Sequence, residues 1–429
     1  MFGFANFLLL ALFAAAVFDL IFALARGGGL RGALHGLWNT PHLLFGQQLA
    51  EWRLQLGRIL FAAGLAAYEI SVVFCNSMAR QNWAWVQGVM SPVLEWLAFL
   101  CFGAKILFGT RYTWRELLAG GALYFIARWV YFNSQNIWWI GIVVAVLAAK
   151  DVRLRRPLQV YFASGCAAMA VVLALHFAGI VAPDLTSERM GALRGTYGYG
   201  HPNTFGGLVF GLVLAYALLR AQKVRWVDCL LVFAIGVFLR VGPASRSAAL
   251  CTLALAVGLV FCRLRAGHSV PRWWPGTCAG MVGLTAAVSY LLPLLVIKVG
   301  PWNNDIGPAW LAKLDSLLTC RISLTWMAYR LLDVKIAGQV FNWPTVDNSF
   351  AFALFQFGPV VAALLGILFA AALWGHAKQG RRVEVCCLFA MLAYAYMEVQ
   401  PFHLTTNPTA LLLCGAVFAQ TSARWQKIE

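Results

Sequence analysis

The densest group of chemistry-bearing residues is RGTYGYGHPNTFGG, residues 194–207. Three glycines between Arg194 and His201 leave the backbone free to approach a ligand closely. Pro202 suits the first position of a helix, where its missing N–H costs nothing, and this places His201 at or near the N-cap. The free N–H groups and positive dipole end of such a helix start form an anion site. Asn203 and Thr204 add polar side chains on that first turn. Gly207 and Gly211 form a small-xxx-small pair that lets another helix pack closely. The plainer alternative is that His201 only caps the helix and the glycines only make a turn.

Three further segments carry polar groups. Ser245, Arg246 and Ser247 form a turn before a helix of small residues, which could equally be an ordinary polar turn with one snorkelling arginine. Residues 320–333, CRISLTWMAYRLLD, space Arg321 and Arg330 on an amphipathic helix with Leu324, Met327, Ala328, Leu331 and Leu332 apolar. That pattern suits a short helix lying on a membrane face. Asp347 and Asn348 precede an apolar run, in either a capping or a ligand role. In MEVQPFHLTTNP, Glu398 and His403 stand at the end of another apolar run. Ionisable residues there are functional candidates, although Glu398 is near enough to the interface to be solvated. Glu69, Arg128 and Asp228 lack motif context and read as structural.

The elements that must position these groups follow from composition. The chain is 61% hydrophobic and 11% charged, with a mean hydropathy of +0.74. A soluble domain carries about 25% charged residues, so this chain cannot cover an aqueous surface, and lipid must be the solvent for most of its exterior. The expected fold is all-α: one integral membrane domain over 1–429, a polytopic bundle of about 12–13 spans. Apolar runs fall at 4–25, 56–76, 84–106, 116–132, 136–149, 158–181, 203–219, 226–241, 247–262, 276–297, 349–374, 384–400 and 407–421. The first is read as a helix rather than a signal peptide, since it lacks a basic n-region. Residues 33–50 read as interfacial.

The net charge of +17 would suggest nucleic acid in a soluble protein. Here 22 of the 33 Lys and Arg residues fall in alternate connections, the mark of a cytoplasmic side, and no nucleic-acid partner is expected. The C-terminus is then cytoplasmic. The opposite, outer connections are 182–202, a short turn at 240–248, and the larger loop 298–348 with short amphipathic helices. They carry Arg189, Arg194, Arg240, Arg246, Arg321 and Arg330. Arginines on the translocated side need another reason to exist, and a planar, permanently charged fork suits phosphate. Pairing with Asp184, Glu188, Asp305, Asp315 and Asp333 is the plainer alternative. No CxxC pair occurs among the eleven cysteines and no P-loop is present, so no metal, cofactor or ATP-driven domain is expected.

GYGHPNTFGG, the SRSA turn, CRISLTWMAYRLL, VDNSFAFALFQFG and EVQPFHLTTNP occur in an order that resembles bacterial O-antigen and capsular or exopolysaccharide polymerases. The resemblance covers about 189–410; GHPN and VDNSF are its specific parts, and the SR turn is not. It implies a multi-pass glycosyltransferase of the bacterial inner membrane. Such enzymes join undecaprenyl-pyrophosphate-linked repeat units at the outer face and release undecaprenyl pyrophosphate, beside a flippase and a chain-length regulator. Arg194, Arg246 and Arg321 would then meet pyrophosphate or acceptor, with Arg189, Asn203, Arg330, Asp347, Asn348 and His403 near the substrate. The acceptor hydroxyl needs a base, and the residues leave His201, Glu398 and Asp347 open for it. The segment 298–319 departs from the family pattern, so acceptor contacts there do not carry over. A ligase using the same carrier and a lipid-linked glycan flippase are the alternatives.

Overall fold

The computed structural model describes residues 2–25, 29–46, 50–181, 187–189, 192–297 and 306–418. The chain is helical almost throughout. Its first half contains α1 (Phe2–Ala25), α2 (Gly29–Asn39), α3 (Ala50–Cys75), the short α4 (Ala79–Asn82), α5 (Ser91–Phe108), α6 (Trp114–Ser134), α7 (Ile137–Ala148) and α8 (Arg155–Phe177). The second half contains α9 (Pro202–Leu219), α10 (Trp226–Val241), α11 (Arg246–Leu264), α12 (Trp274–Leu291), α13 (Ala309–Leu317) and α14 (Arg321–Leu331). It ends with α15 (Ser349–Phe352), α16 (Pro359–Lys378), α17 (Arg382–Met397) and α18 (Cys414–Val417). Two tiny antiparallel pairs, His42–Leu43 with Arg111–Tyr112 and Ser187–Arg189 with Ala192–Arg194, are the strands among the described residues.

Among the described residues, eight helical segments are long and apolar enough to cross a membrane, as in a multi-pass membrane protein. Large apolar side chains stand exposed on them and on neighbouring helices, among them Phe13, Leu230 and Leu284. Such surface is stable against lipid and not against water. The eight are fewer than the apolar runs suggest, for physical reasons. Helices α10 and α17 have 16 residues each, about 24 Å at 1.5 Å per residue, short of a ~30 Å hydrocarbon core. Helix α7 is shorter still, with 12 residues, and the run from 407 is a 3-10 turn, Pro408–Leu413, before the four-residue α18. Residues 419–421 of that run lie outside the described residues. Helix α6 is long enough but carries Arg115, Glu116 and Arg128. It is separate from α7: Gln135 takes a left-handed conformation, and Asn136 then caps α7.

The expected span 349–374 is two pieces. Helix α15 runs into a π-turn, Ala353–Phe357, and the chain then breaks at Gly358 before Pro359 starts α16. Gly358 has φ 88°, and a Cβ there would strike the Ile336 carbonyl, so the break is packed against the loop before it.

Helices α9 and α11 lie antiparallel to α17. At one end, Asn203 of α9 and Ser247 of α11 meet Glu398, just beyond α17. At the other, the Cys262 and Cys386 thiols of α11 and α17 lie 3.5 Å apart. The connections expected on one side of a membrane therefore do share an end. Two of the basic residues at the opposite end are buried. Lys105 donates to Thr110 Oγ1, and Lys150 donates to the Arg111 carbonyl, 3.4 Å from Glu116.

Candidate functional site

Four helix starts converge where α17 stops. His201, in extended backbone, accepts at Nδ1 from Asn203 N–H (3.1 Å) and caps α9. Helix α11 begins at Arg246, directly after Ser245. Helix α14 begins at Arg321 after two left-handed residues, Thr319 and Cys320. Asp315 fixes that start by accepting from Ile322 N–H (2.8 Å) and Ser323 N–H (3.1 Å). Asn348 caps α15, accepting from Phe350 N–H and Ala351 N–H, and its amide donates to Ser289 Oγ. Helix α17 ends at Met397, and Glu398 follows in extended backbone.

Glu398 is the centre. Its Oε1 accepts three hydrogen bonds, from Ser247 Oγ (2.8 Å), Arg321 Nη2 (3.0 Å) and Asn203 Nδ2 (3.1 Å). Among the described residues its other oxygen, Oε2, accepts none. Its own carbonyl receives the Ser349 hydroxyl. Arg321 is held on all sides: Nε donates to the Met397 carbonyl (2.8 Å), Nη1 donates to Thr319, and Asp347 lies 3.4 Å from Nη1. Asn203 joins the second arginine. Its Oδ1 accepts from Arg194 Nη2 (2.9 Å), which also reaches the Ala244 carbonyl (3.3 Å). Arg194, Ser245, Ser247, Arg321 and Glu398 are all buried.

The electrostatics follow from that burial. Desolvation pushes the Glu398 carboxyl up to about 7, and the nearby Asp347 charge acts in the same direction. Arg321 and the Ser247 hydroxyl pull it back, but not to the ordinary carboxylate range. The first turns of α9, α11 and α14 also place positive dipole ends towards this carboxylate. Chemically, the arrangement offers a proton acceptor that titrates near neutrality beside two arginines.

Several sequence expectations change here. Glu398 is not solvated at an interface, because α14 and the 245–247 turn fold over it and leave 4% of it exposed. Asp347 is not the α15 cap, which is Asn348; it pairs with Arg321 instead. Among the described residues Asp315 pairs with no arginine, and its oxygens are taken by the start of α14 and by the Ser323 hydroxyl. Helix α14 exists but is rotated from its expected face. The hydrogen bonds of Arg321 draw that residue, Ile322, Thr325 and Ala328 inward, while Leu331 is left exposed. His201 caps α9 with its side chain exposed.

The remaining candidates lie around or away from this centre. Arg246 is half-buried between Ser245 and Ser247, the latter bonded to Glu398. Arg330 is at the far end of α14, exposed, with its guanidinium 5.3 Å from the Trp326 ring centroid. His403 packs its ring against Trp138 (3.8 Å) and makes no ion pair among the described residues. Arg189 pairs its backbone with Ala192, and its side chain lies outside the described residues, as do Asp184 and Asp305. Thr319 and Ser349 were not foreseen; only the position of Ser349 directly after the cap in VDNSF hinted at it.

Close packing holds the site together. A Cβ at Gly206 would strike Ser245, and one at Gly207 would strike Gln400. A Cβ at Gly211 would strike the Thr405 carbonyl and approach Thr406 Cα within 2.9 Å. The small-residue face of α9 therefore packs against the segment 400–406 as well as against α11 and α17, where Gly206 faces Ala248 and Gly207 faces Tyr394. Tyr161 of α8 donates to the same Thr405 carbonyl.

No family model matches the chain, and no curated protein or solved structure matches it.

Proposed function

We propose that the protein is a multi-pass glycosyltransferase of the bacterial cytoplasmic membrane. It polymerises undecaprenyl-pyrophosphate-linked oligosaccharide repeat units at the outer face and releases undecaprenyl pyrophosphate. The observation that carries this reading is the Glu398 centre, in which a buried carboxyl tuned near neutrality stands beside Arg321, Asn203 and Arg194. The order of the GHPN and VDNSF segments along the chain supports the same reading.

In the proposed reaction, the acceptor hydroxyl oxygen forms a bond to the anomeric carbon of the growing chain. The bond from that carbon to its phosphate oxygen breaks, and the electron pair leaves with undecaprenyl pyrophosphate. The hydroxyl proton passes to Glu398 Oε2, the oxygen with no hydrogen bond from the described chain. Arg194, Arg246 and the start of α9 provide positive groups for charge developing on the leaving pyrophosphate. Arg321 and Asn203 hold Glu398 through Oε1. A flippase delivering repeat units and a chain-length regulator are the expected membrane partners.

The test is purified protein in detergent with undecaprenyl-pyrophosphate-linked repeat units. The expected result is a ladder of products with released carrier, absent with Arg194→Ala and with Glu398→Gln. Single repeats left unchanged by the native protein would overturn polymerisation. Transfer of a finished glycan to a different acceptor, without a ladder, would assign the chain as a ligase instead.

A further inference from the structure

A cleft of about 620 Å³ opens at the end of the bundle opposite Glu398. It lies where the α9–α10 connection, the end of α11 and the α16–α17 connection come together. Lys223, Arg225, Arg263, Arg381 and Arg382 line it, and its one acidic lining residue, Glu384, is buried. Arg382 shapes the cleft, since its guanidinium donates to the carbonyls of Arg265 and His268 and so ties the α11–α12 connection to α17. Lys223, Arg225 and Arg263 instead stand exposed.

Two observations separate this cleft from a general scatter of positive charge. Its cations come from three connections but face one concave volume large enough for a headgroup. Helix α17, with 16 residues, also begins at its wall, and Arg381 at the N-cap supplies no side-chain cap. The Arg382 N–H there donates to the Gly380 carbonyl, so the anion's donors are the cationic side chains. The rim identifies the source of that anion. Trp226 and Leu264, adjoining Arg225 and Arg263, are 53% and 63% exposed, as befits side chains facing lipid at the level where helices end.

We infer that this cleft binds the phosphate headgroup of an anionic phospholipid, at the membrane surface opposite the Glu398 centre. The lipid phosphate sits among Lys223, Arg225 and Arg263, and its acyl chains follow the apolar rim past Trp226. This site is independent of the proposed glycosyl transfer. It would stand if that reading failed.

The experiment is native mass spectrometry of the full chain in mild detergent, titrated with phosphatidylglycerol or phosphatidylcholine. Phosphatidylglycerol is expected to be retained about tenfold better than phosphatidylcholine, and the Arg225→Gln/Arg263→Gln double variant to lose that preference. Both side chains are exposed, so the double variant is expected to keep the parent's thermal unfolding midpoint. Arg153→Gln, which removes an exposed charge outside the cleft, is expected to retain the preference. Equal retention of the two lipids, or an equal loss in Arg153→Gln, would overturn the inference. Displacement of phosphatidylglycerol by millimolar inorganic phosphate, dependent on Arg225 and Arg263, would overturn the lipid source and assign a soluble phosphate ligand.

Discussion

Arg321 Nη2 lies 3.0 Å from Glu398 Oε1, and the same guanidinium reaches Asp347 at 3.4 Å, so one buried cation serves two carboxylates. Neither Arg321 nor Glu398 has water to fall back on. Removing one member strands the other's charge, which costs more than the pair contributes. Arg321→Ala is therefore expected to destabilise the protein by roughly 3–5 kcal/mol. Glu398→Gln keeps an oxygen for the three donors on Oε1 and should unfold much nearer the parent. Thermal unfolding in detergent compares the two, and equal losses would contradict the account.

The rate of the proposed transfer should depend on pH through Glu398. A base must be ionised to accept a proton, and burial holds this carboxyl protonated up to about pH 7. Activity is expected to rise as pH increases through about 7 and then level off. Asp347→Asn removes a neighbouring negative charge that raises the Glu398 pKa, so the rising limb should move to lower pH. Glu398→Gln should abolish the limb and lower the rate by about 10²–10⁴-fold. Product-ladder rates across pH 5.5–8.5 (roughly a unit and a half either side of the expected midpoint) would show this. An unshifted limb in Asp347→Asn would count against Glu398 as its source.

Asn203 acts as a two-sided connector, accepting from Arg194 and donating to Glu398. Asn203→Asp preserves the shape but replaces the donor with a negative oxygen facing Glu398. Like charges that close cannot both stay ionised cheaply, so the Glu398 limb should move to higher pH, opposite to the Asp347→Asn shift. The pair of variants thus gives shifts of opposite sign from the same carboxyl. Two shifts in one direction would show that the limb belongs to another group.

The parts of this site that depend on neighbouring residues were legible in the sequence. Pro202 marked the start of α9, His201 its cap, and Asn348 and Asp347 a helix start near 349. The centre was not. Asn203 and Glu398 are 195 residues apart, and no local periodicity encodes their meeting. Glu398 sits at the end of an apolar run, where hydropathy alone makes a carboxylate look solvated; only the fold of α14 over it reverses that. The lengths of the helices were not legible for a related reason. A run of apolar residues reports lipid or protein surroundings but not helix length, so α10 and α17 read like full spans. The FGP sequence at 357–359 held the break before α16, yet unbroken hydropathy across it concealed the turn.

Gly211 offers a test of the packing that carries Glu398 into place. Its face of α9 meets the 400–406 segment so closely that a methyl group would strike the Thr405 carbonyl and press on Thr406 Cα. Both obstacles are backbone, and Thr405 is held further by the Tyr161 hydroxyl, so the segment cannot yield by rotating a side chain. Gly211→Ala should therefore destabilise by about 1–3 kcal/mol despite the better helix propensity of alanine. Gly283→Ala in α12 is the control, since a Cβ there meets nothing within 4 Å. It should be neutral or slightly stabilising. Because the 400–406 segment follows Glu398 directly, Gly211→Ala should also reduce ladder formation at temperatures where the protein remains folded. A Gly211→Ala protein as stable as Gly283→Ala would mean that α9 and this segment are not in contact.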